Sequence, residues 1–283
     1  MLFLRTTSLL LLLLIVGSFA QRENTWTMLD KGLDYAELAA PVKSIYGDSK
    51  ITVLRIDPKS YEFFLECATD PKNKRITHTL AEWCKQKKFI AAINAGMFDG
   101  NDPTQPDHTF MCNRGYMKSF DHVNSSKMTN DKTVICFSPK GKSMPAFQIA
   151  DIQNCETFAN LKAKYNCLIQ GIRMIDCKQQ IRWQKDKKKW SVCVMGMDKA
   201  GNALFIHSRS PYTMYEFISM LQQLPLNLKT LIYLEGGPEA SLYVSSGSKT
   251  VQRFGSYETG FNENDGNDHF WKLPNIVGIR KKP

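Results

Sequence analysis

Glu235 has the strongest claim to chemistry, in the run Tyr233-Leu234-Glu235-Gly236-Gly237-Pro238-Glu239. It follows the apolar residues Leu231, Ile232, Tyr233 and Leu234, and a carboxylate at the end of a buried strand is costly unless it is paired or bound. Gly236 and Gly237 leave room for a ligand beside it, and Glu239 supplies a second carboxyl. Glycoside cleavage uses two such groups, one to stabilise or attack the anomeric carbon and one to handle protons. A second segment, Ile93-Asn94-Ala95-Gly96-Met97-Phe98-Asp99, opens a polar loop carrying Asp99, Asp102, Asp107 and His108. Asn94 offers both a donor and an acceptor. Gly96 permits close approach of a ligand or a backbone conformation closed to other residues. Asp99 is an alternative partner carboxyl. Each segment also reads as a plain turn, with Asn94 bonding its own backbone and Gly-Gly-Pro leading into a strand.

Between these lie Gln170-Gly171-Ile172-Arg173 and Ile206-His207-Ser208-Arg209. A guanidinium grips phosphate through a planar fork, so Arg173 is the expected anion anchor, while Arg209 reads better as a surface residue. His207 continues an apolar strand and precedes a hydroxyl, and is either a satisfied core histidine or an acid/base. The expected catalytic set is Glu235, Glu239 and Asp99. The expected substrate contacts are Asn94, Gly96, Arg173, His207, Gly236 and Gly237. No metal ligand set is assigned and no cofactor is expected. The acidic loop matches no standard calcium spacing, yet it leaves a divalent cation as the one candidate. No serine elbow, phosphate-binding glycine loop, dinucleotide fingerprint or zinc helix occurs.

These residues must be positioned by many short strands and a few helices. Runs at 51–56 and 61–67, separated by Asp57-Pro58-Lys59-Ser60, look like a hairpin. A helix is expected over 79–86 and a buried strand over 89–93. Further strands are expected at 134–137, 165–169, 190–195, 203–206, 231–234 and 240–244. Thr213 with Glu216 forms a capping-box pattern before Phe217, Ile218, Leu221 and Leu224, and Pro225 ends the helix. Strand, helix, strand over 203–234 predicts a crossover unit with Glu235 just beyond the strand, where ligand clefts of open sheets lie. The expected fold is α+β: a single domain with a mixed or antiparallel sheet and a few packed helices.

The amino terminus has Arg5, an apolar run over 9–16, and small residues at Ser18 and Ala20, the parts of a secretory signal peptide. Residues 1–20 are therefore expected to be a signal and 21–283 the functional domain, secreted or periplasmic. The apolar run is too short to span a bilayer, which takes about 20 residues. The formal charge of +10 is concentrated at 178–189 and at Arg280-Lys281-Lys282. That excess is either a solvated tip and tail or a field that attracts an anionic substrate. Nucleic acid is a poor partner, since the basic run has no recognisable binding fold. Eight cysteines are present without zinc spacing. Cys67 and Cys193 read as core thiols; Cys167 and Cys177, which flank a turn, are a candidate disulfide.

Taken in order, several motifs resemble the phosphodiester glycosidase family. They are Ile-Asn-Ala-Gly-Met-Phe-Asp at 93–99, Gln170-Gly171, Thr213-Met-Tyr-Glu-Phe217, Leu-Glu-Gly-Gly-Pro-Glu-Ala-Ser-Leu-Tyr at 234–243, and the endings Gly255-Ser-Tyr-Glu-Thr-Gly-Phe261 and 270–278. The likeness spans roughly 29–280 and is to the bacterial exported branch at its end. It implies an α+β fold and cleavage of a sugar from a sugar-1-phosphodiester, with a phosphorylated glycan as partner. The family more commonly has Asp-Gly-Gly followed by small hydroxyl residues, where this chain has Glu235-Gly-Gly-Pro238-Glu239. It also often has Gly-Pro where this chain has Gly171-Ile172. Those departures motivate an alternative, a non-catalytic glycan- or envelope-binding protein on the same scaffold. The acidic loop motivates another, a metal-assisted phosphodiesterase.

Overall fold

The computed structural model describes residues 26–99 and 111–283. The expected signal, together with Asp102, Asp107 and His108, lies outside them. Three sheets form the body of the protein. The largest has seven strands in the order Thr27–Asp30, Leu33–Ala39, Lys50–Ile56, Ala203–Tyr212, Trp190–Asp198, Leu228–Gly236 and Arg173–Ile175. A five-stranded sheet runs Phe147–Asp151, Thr133–Pro139, Tyr165–Gly171, Met117–Ser119, His122–Ser125. The third runs Lys249–Phe254, Ser241–Ser246, Ala91–Asn94, Asn275–Lys281, Tyr61–Cys67. Every pairing among these strands is antiparallel. The molecule is thus more sheet-rich than a balanced α+β mixture, with three α-helices among the described residues.

The inward faces of all three sheets share one core, which draws in Leu54, Phe205, Ile135, Phe137, Ile93 and Val277. Phe63 sits where they meet, its ring 4.8 Å from Phe147 and 6.0 Å from Phe137. The outer face of the large sheet is covered by the helix Met214–Gln223, whose Phe217, Ile218 and Leu221 pack on Val192, Val194, Leu204 and Ile206. Full burial of each such side chain stabilises the fold by about 1.5–3 kcal/mol. Thr213 caps this helix by accepting from the Glu216 N–H; the complete reciprocal box occurs at the helix Leu80–Lys87, between Thr79 and Glu82. Ala203–Tyr212 and Leu228–Gly236 both run antiparallel to the strand between them, so they are parallel to each other and the helix crosses over, as expected.

Two expectations are corrected. The runs at 51–56 and 61–67 are not a hairpin: they pair in different sheets, the first with Leu33–Ala39 and Ala203–Tyr212, the second with Asn275–Lys281. Two β-rich runs joined by a turn cluster carry no mark of which partner each takes. The disulfide joins Cys177 to Cys155, not to Cys167. The Cys167 side chain points into the central core from its strand and cannot face Cys177 across the turn. Cys67 and Cys193 are buried free thiols, as read from the sequence.

Candidate active site

The two motifs meet at Glu235. Its strand carries a register shift: Val194 pairs with Tyr233, but Cys193 pairs with Glu235. Leu234 is the extra residue, and such a bulge re-aims the side chain that follows. Tyr233 belongs to the helix-covered face, whereas Glu235 sits opposite Cys193, whose side chain lies in the central core. The redirected carboxyl reaches the first motif, where Oε2 accepts from the Phe98 N–H at 3.1 Å, and Oε1 accepts from the Gly236 N–H at 3.0 Å. Glu235 therefore lies within the last two residues of its strand rather than beyond it.

Glu239 ends the short 3-10 turn Gly237–Glu239 that leads on to the strand Ser241–Ser246. Gly237 has a φ of +62°, and a Cβ there would lie 2.4 Å from Glu258 Oε2 and 3.5 Å from Glu239 Oε2. Only glycine fits, and the carboxyls of Glu239 and Glu258 are neighbours across it. At Gly236 a Cβ would lie 2.3 Å from Trp190 Cδ1 and 2.8 Å from the Tyr233 hydroxyl. The paired glycines thus allow two glutamates and two aromatic rings to close around one turn.

Crowding three acids in a poorly solvated place favours their protonated forms. Burial pushes the Glu235 carboxyl up to about 8; the Gly236 and Phe98 N–H groups oppose this, and the charges of Glu239 and Glu258 add to it. Glu239 is pushed up to about 7 by burial and by Glu258. Glu258 is raised by burial, with Lys188 pulling it down. The three line a cleft of about 610 Å³ with Thr77, Phe98, Met111, Phe261, Trp271, Lys272 and Pro274. Among the described residues, no cluster of three His, Cys, Asp or Glu side chains is arranged to hold a metal ion.

Several expected substrate contacts instead hold the backbone beneath Glu239. Asn94 is fully buried, and its Oδ1 accepts from the Ser241 N–H at 3.0 Å. Ser241 Oγ donates to the Glu239 carbonyl, and the His207 ring bonds the Ala240 carbonyl. His207 is 1% exposed, and burial first, then the nearby Arg253 charge, push its pKa down to about 3, so it is a neutral core histidine. Gly96 has a φ of +71°, and its Cα lies against the Asn113 side chain. Arg173 is not part of the cleft lining: both Asp151 oxygens accept from its Nη1 at 2.9 Å, and its Nη2 donates to Gln153. Asp99 lies in the short strand Phe98–Asp99, and its side chain falls outside the described residues.

Arg209 is no idle surface residue. It donates to the carbonyls of Phe254, Asp265 and Asn267 and pairs with Asp265 at 2.7 Å, pinning the segment that carries Glu258. It also lines a second cleft of about 430 Å³ with Lys50, His207 and Arg253. The arginines there are already bonded to protein groups, so the chemistry lies with the glutamates. Sequence reasoning misses Glu258, Phe261, Trp271 and Lys272 of the cleft lining. Their segment was visible only as part of a family-like ending, because a polar loop has no periodicity to say which side chains turn inward.

The cleft thus gathers three glutamates with apolar and aromatic side chains. The chain belongs to the phosphodiester glycosidase family, whose model matches residues 87–280. No curated protein sequence matches it. Its fold is similar to that of a hypothetical protein from Synechocystis, with a TM-score of 0.58 at 13% identity over 88% of this chain and 62% of that one. The chain thus spans less than two thirds of that relative. It is also similar to the catalytic domain of zebrafish N-acetylglucosamine-1-phosphodiester alpha-N-acetylglucosaminidase, solved auto-inhibited by its pro-peptide. There the TM-score is 0.58 at 13% identity, over 89% of this chain and 85% of that one. At such identity the likeness is one of fold.

Proposed function

We propose that the chain is an exported hydrolase that cleaves the glycosidic bond of a sugar-1-phosphodiester. The observation that carries this reading is the convergence of Glu235, Glu239 and Glu258 on one cleft in a chain of the phosphodiester glycosidase family. Water attacks the anomeric carbon and gives its proton to Glu239, whose value of about 7 suits a general base. The bond from that carbon to the phosphate oxygen breaks, and the electron pair leaves on the oxygen. Glu235, still protonated at neutral pH, donates a proton there. Glu258, raised by burial with the Lys188 charge opposing, faces the positive charge developing on the sugar. The products are a free sugar and a phosphate monoester, and solvent resets the two protons.

A phosphate monoester is already a good leaving group, so the demand on the acid is modest. Lys272, which lines the cleft, takes the phosphate-facing role that the sequence had suggested for Arg173. The amino-terminal pattern supports export to a secreted or periplasmic location, and no described helix is long and apolar enough to cross a membrane. Finding the secreted chain to start at Gln21 would check the cleavage.

Incubation of the mature protein with a panel of sugar-1-phosphodiesters, with free sugar as the readout, tests the reaction. Release that falls by about 100-fold or more in Glu235→Gln, Glu239→Gln and Glu258→Gln is expected. No release by folded protein across the panel would sink the reading. Glycan binding without turnover that survives the Glu235 and Glu239 changes would assign the scaffold to binding instead. Activity abolished by a chelator would favour the metal-assisted phosphodiesterase.

A further inference from the structure

The second cleft, of about 430 Å³, lies where the first sheet meets the third and shares no lining residue with the glutamate cleft. Its floor is a cross-strand pair. Thr52 of Lys50–Ile56 stands directly opposite His207 of Ala203–Tyr212, so the two side chains rise side by side on one face. They are 2% and 1% exposed. The neutral His207 ring has one N–H and bonds the Ala240 carbonyl with it, which leaves its other nitrogen as a lone-pair acceptor. Nε2 has no hydrogen-bond partner among the described residues. Thr52 Oγ1 accepts from Arg253 Nε at 3.1 Å and keeps its own proton to give. A buried acceptor and a buried donor thus stand together, and one alcohol group, donating and accepting at once, satisfies both.

The charges above this floor select among ligands. Lys50 pairs with Glu37 at 2.9 Å, Arg253 with the same carboxylate at 3.3 Å, and Arg209 with Asp265 at 2.7 Å. Each cation is already matched, and an anion entering the cleft would also meet Asp48 and Asp268. A metal ion would meet Lys50, Arg209 and Arg253 instead. An apolar guest would leave the Thr52–His207 pair unsatisfied. A sugar ring fits all of these groups: its hydroxyls give and take hydrogen bonds with Asp48, Gln252 and the floor, and its C–H face lies against Phe254.

We infer that this cleft is a second, non-catalytic site, built for a neutral sugar ring. Its occupant reaches the two side chains that hold the backbone of Glu239 and Glu258. His207 bonds the carbonyl of the residue after Glu239, and Arg209 pins the segment that carries Glu258. A hydroxyl that donates to the imidazole makes its N–H a stronger donor to Ala240, so an occupied cleft firms the turn beneath Glu239. The site uses none of the glutamates and stands whether or not the hydrolase reading does.

Calorimetric titration of the mature chain with the methyl pyranosides of glucose, galactose and mannose, and separately with inorganic phosphate, tests it. At least one pyranoside should bind. Thr52→Val, which keeps the shape and removes the donor, should weaken that binding about 3–10-fold, the loss of one hydrogen bond. The double change Glu235→Gln and Glu239→Gln should leave it within about 2-fold. The reverse pattern would place the sugar in the glutamate cleft and overturn the inference, as would a panel in which no pyranoside binds. Phosphate binding that Thr52→Val weakens, without any sugar binding, would make the cleft an anion site and overturn it too. Thermal melting checks folding, and Asp48→Ala, at an exposed position, carries the test if Thr52→Val does not fold. Saturating sugar should also slow amide exchange over 239–241 by about 3-fold or more. Unchanged exchange with sugar bound would overturn the link to Glu239.

Discussion

Burial raises the Glu235 carboxyl from an ordinary 4.5 to about 8, so between those values the folded chain keeps a proton that the unfolded chain has released. Stability from this group is fully present below about pH 4.5 and is lost as pH rises through about 8. Glu235→Gln should therefore be more stable than the wild type at pH 8, by about 1–2 kcal/mol, and nearly equal to it at pH 4.5, as read by denaturant titration at both pH values. The figure is below the full linkage because the carboxyl opens onto the cleft. In the wild type, kcat/KM should fall as pH rises above about 8, when the proton donor is lost. Gly237→Ala should cost about 1–3 kcal/mol and at least about 10-fold in activity, because the left-handed backbone is strained and the methyl meets Glu258. By contrast, Arg173→Ala should lower stability by about 3–5 kcal/mol, as expected when one partner of a buried ion pair is removed, without raising KM. A KM rise at unchanged kcat would return Arg173 to the phosphate.

At the scale of elements, the site depends on features that differ in how plainly the sequence marks them. Thr213 with Glu216 marks a helix start by local chemistry, and the helix after Thr79 is legible from its apolar spacing. The strand ending at Gly236 and its crossover partner were legible from apolar runs. Its bulge at Leu234 was not, since nothing in Leu-Ile-Tyr-Leu says that Cys193 will face Glu235 rather than Leu234. Asn94 and His207 stand out in the sequence as polar residues beside apolar runs, but their partners, Ser241 and Ala240, come from far along the chain. Glu258 lay in a loop without pattern. That loop yields a prediction: Arg209→Ala frees the Phe254, Asp265 and Asn267 carbonyls, so limited proteolysis should cut within 255–272 faster than in the wild type. Activity should fall about 10-fold or more with it. Unchanged cleavage would show the loop to be held by its other bonds.

Across the whole molecule, three sheets that share one core bring together Phe98, Glu235, Glu239 and Glu258 from distant parts of the chain. The Cys155–Cys177 disulfide ties the end of Phe147–Asp151 to the chain beyond Arg173–Ile175, on the same side as the Arg173–Asp151 pair. It closes a loop with a sequence separation of 22, so Cys155→Ser should lower stability by about 3 kcal/mol while leaving KM alone. The segment from Gly255 to Lys272, pinned by Arg209 between two strands of the third sheet, carries Glu258, Phe261 and Trp271 of the cleft lining on one stretch of chain. One carboxyl and two rings of the cleft wall thus belong to a single insert between neighbouring elements of the chain. Exchanging that insert as one block would remodel this side of the cleft without touching the strand that ends at Gly236.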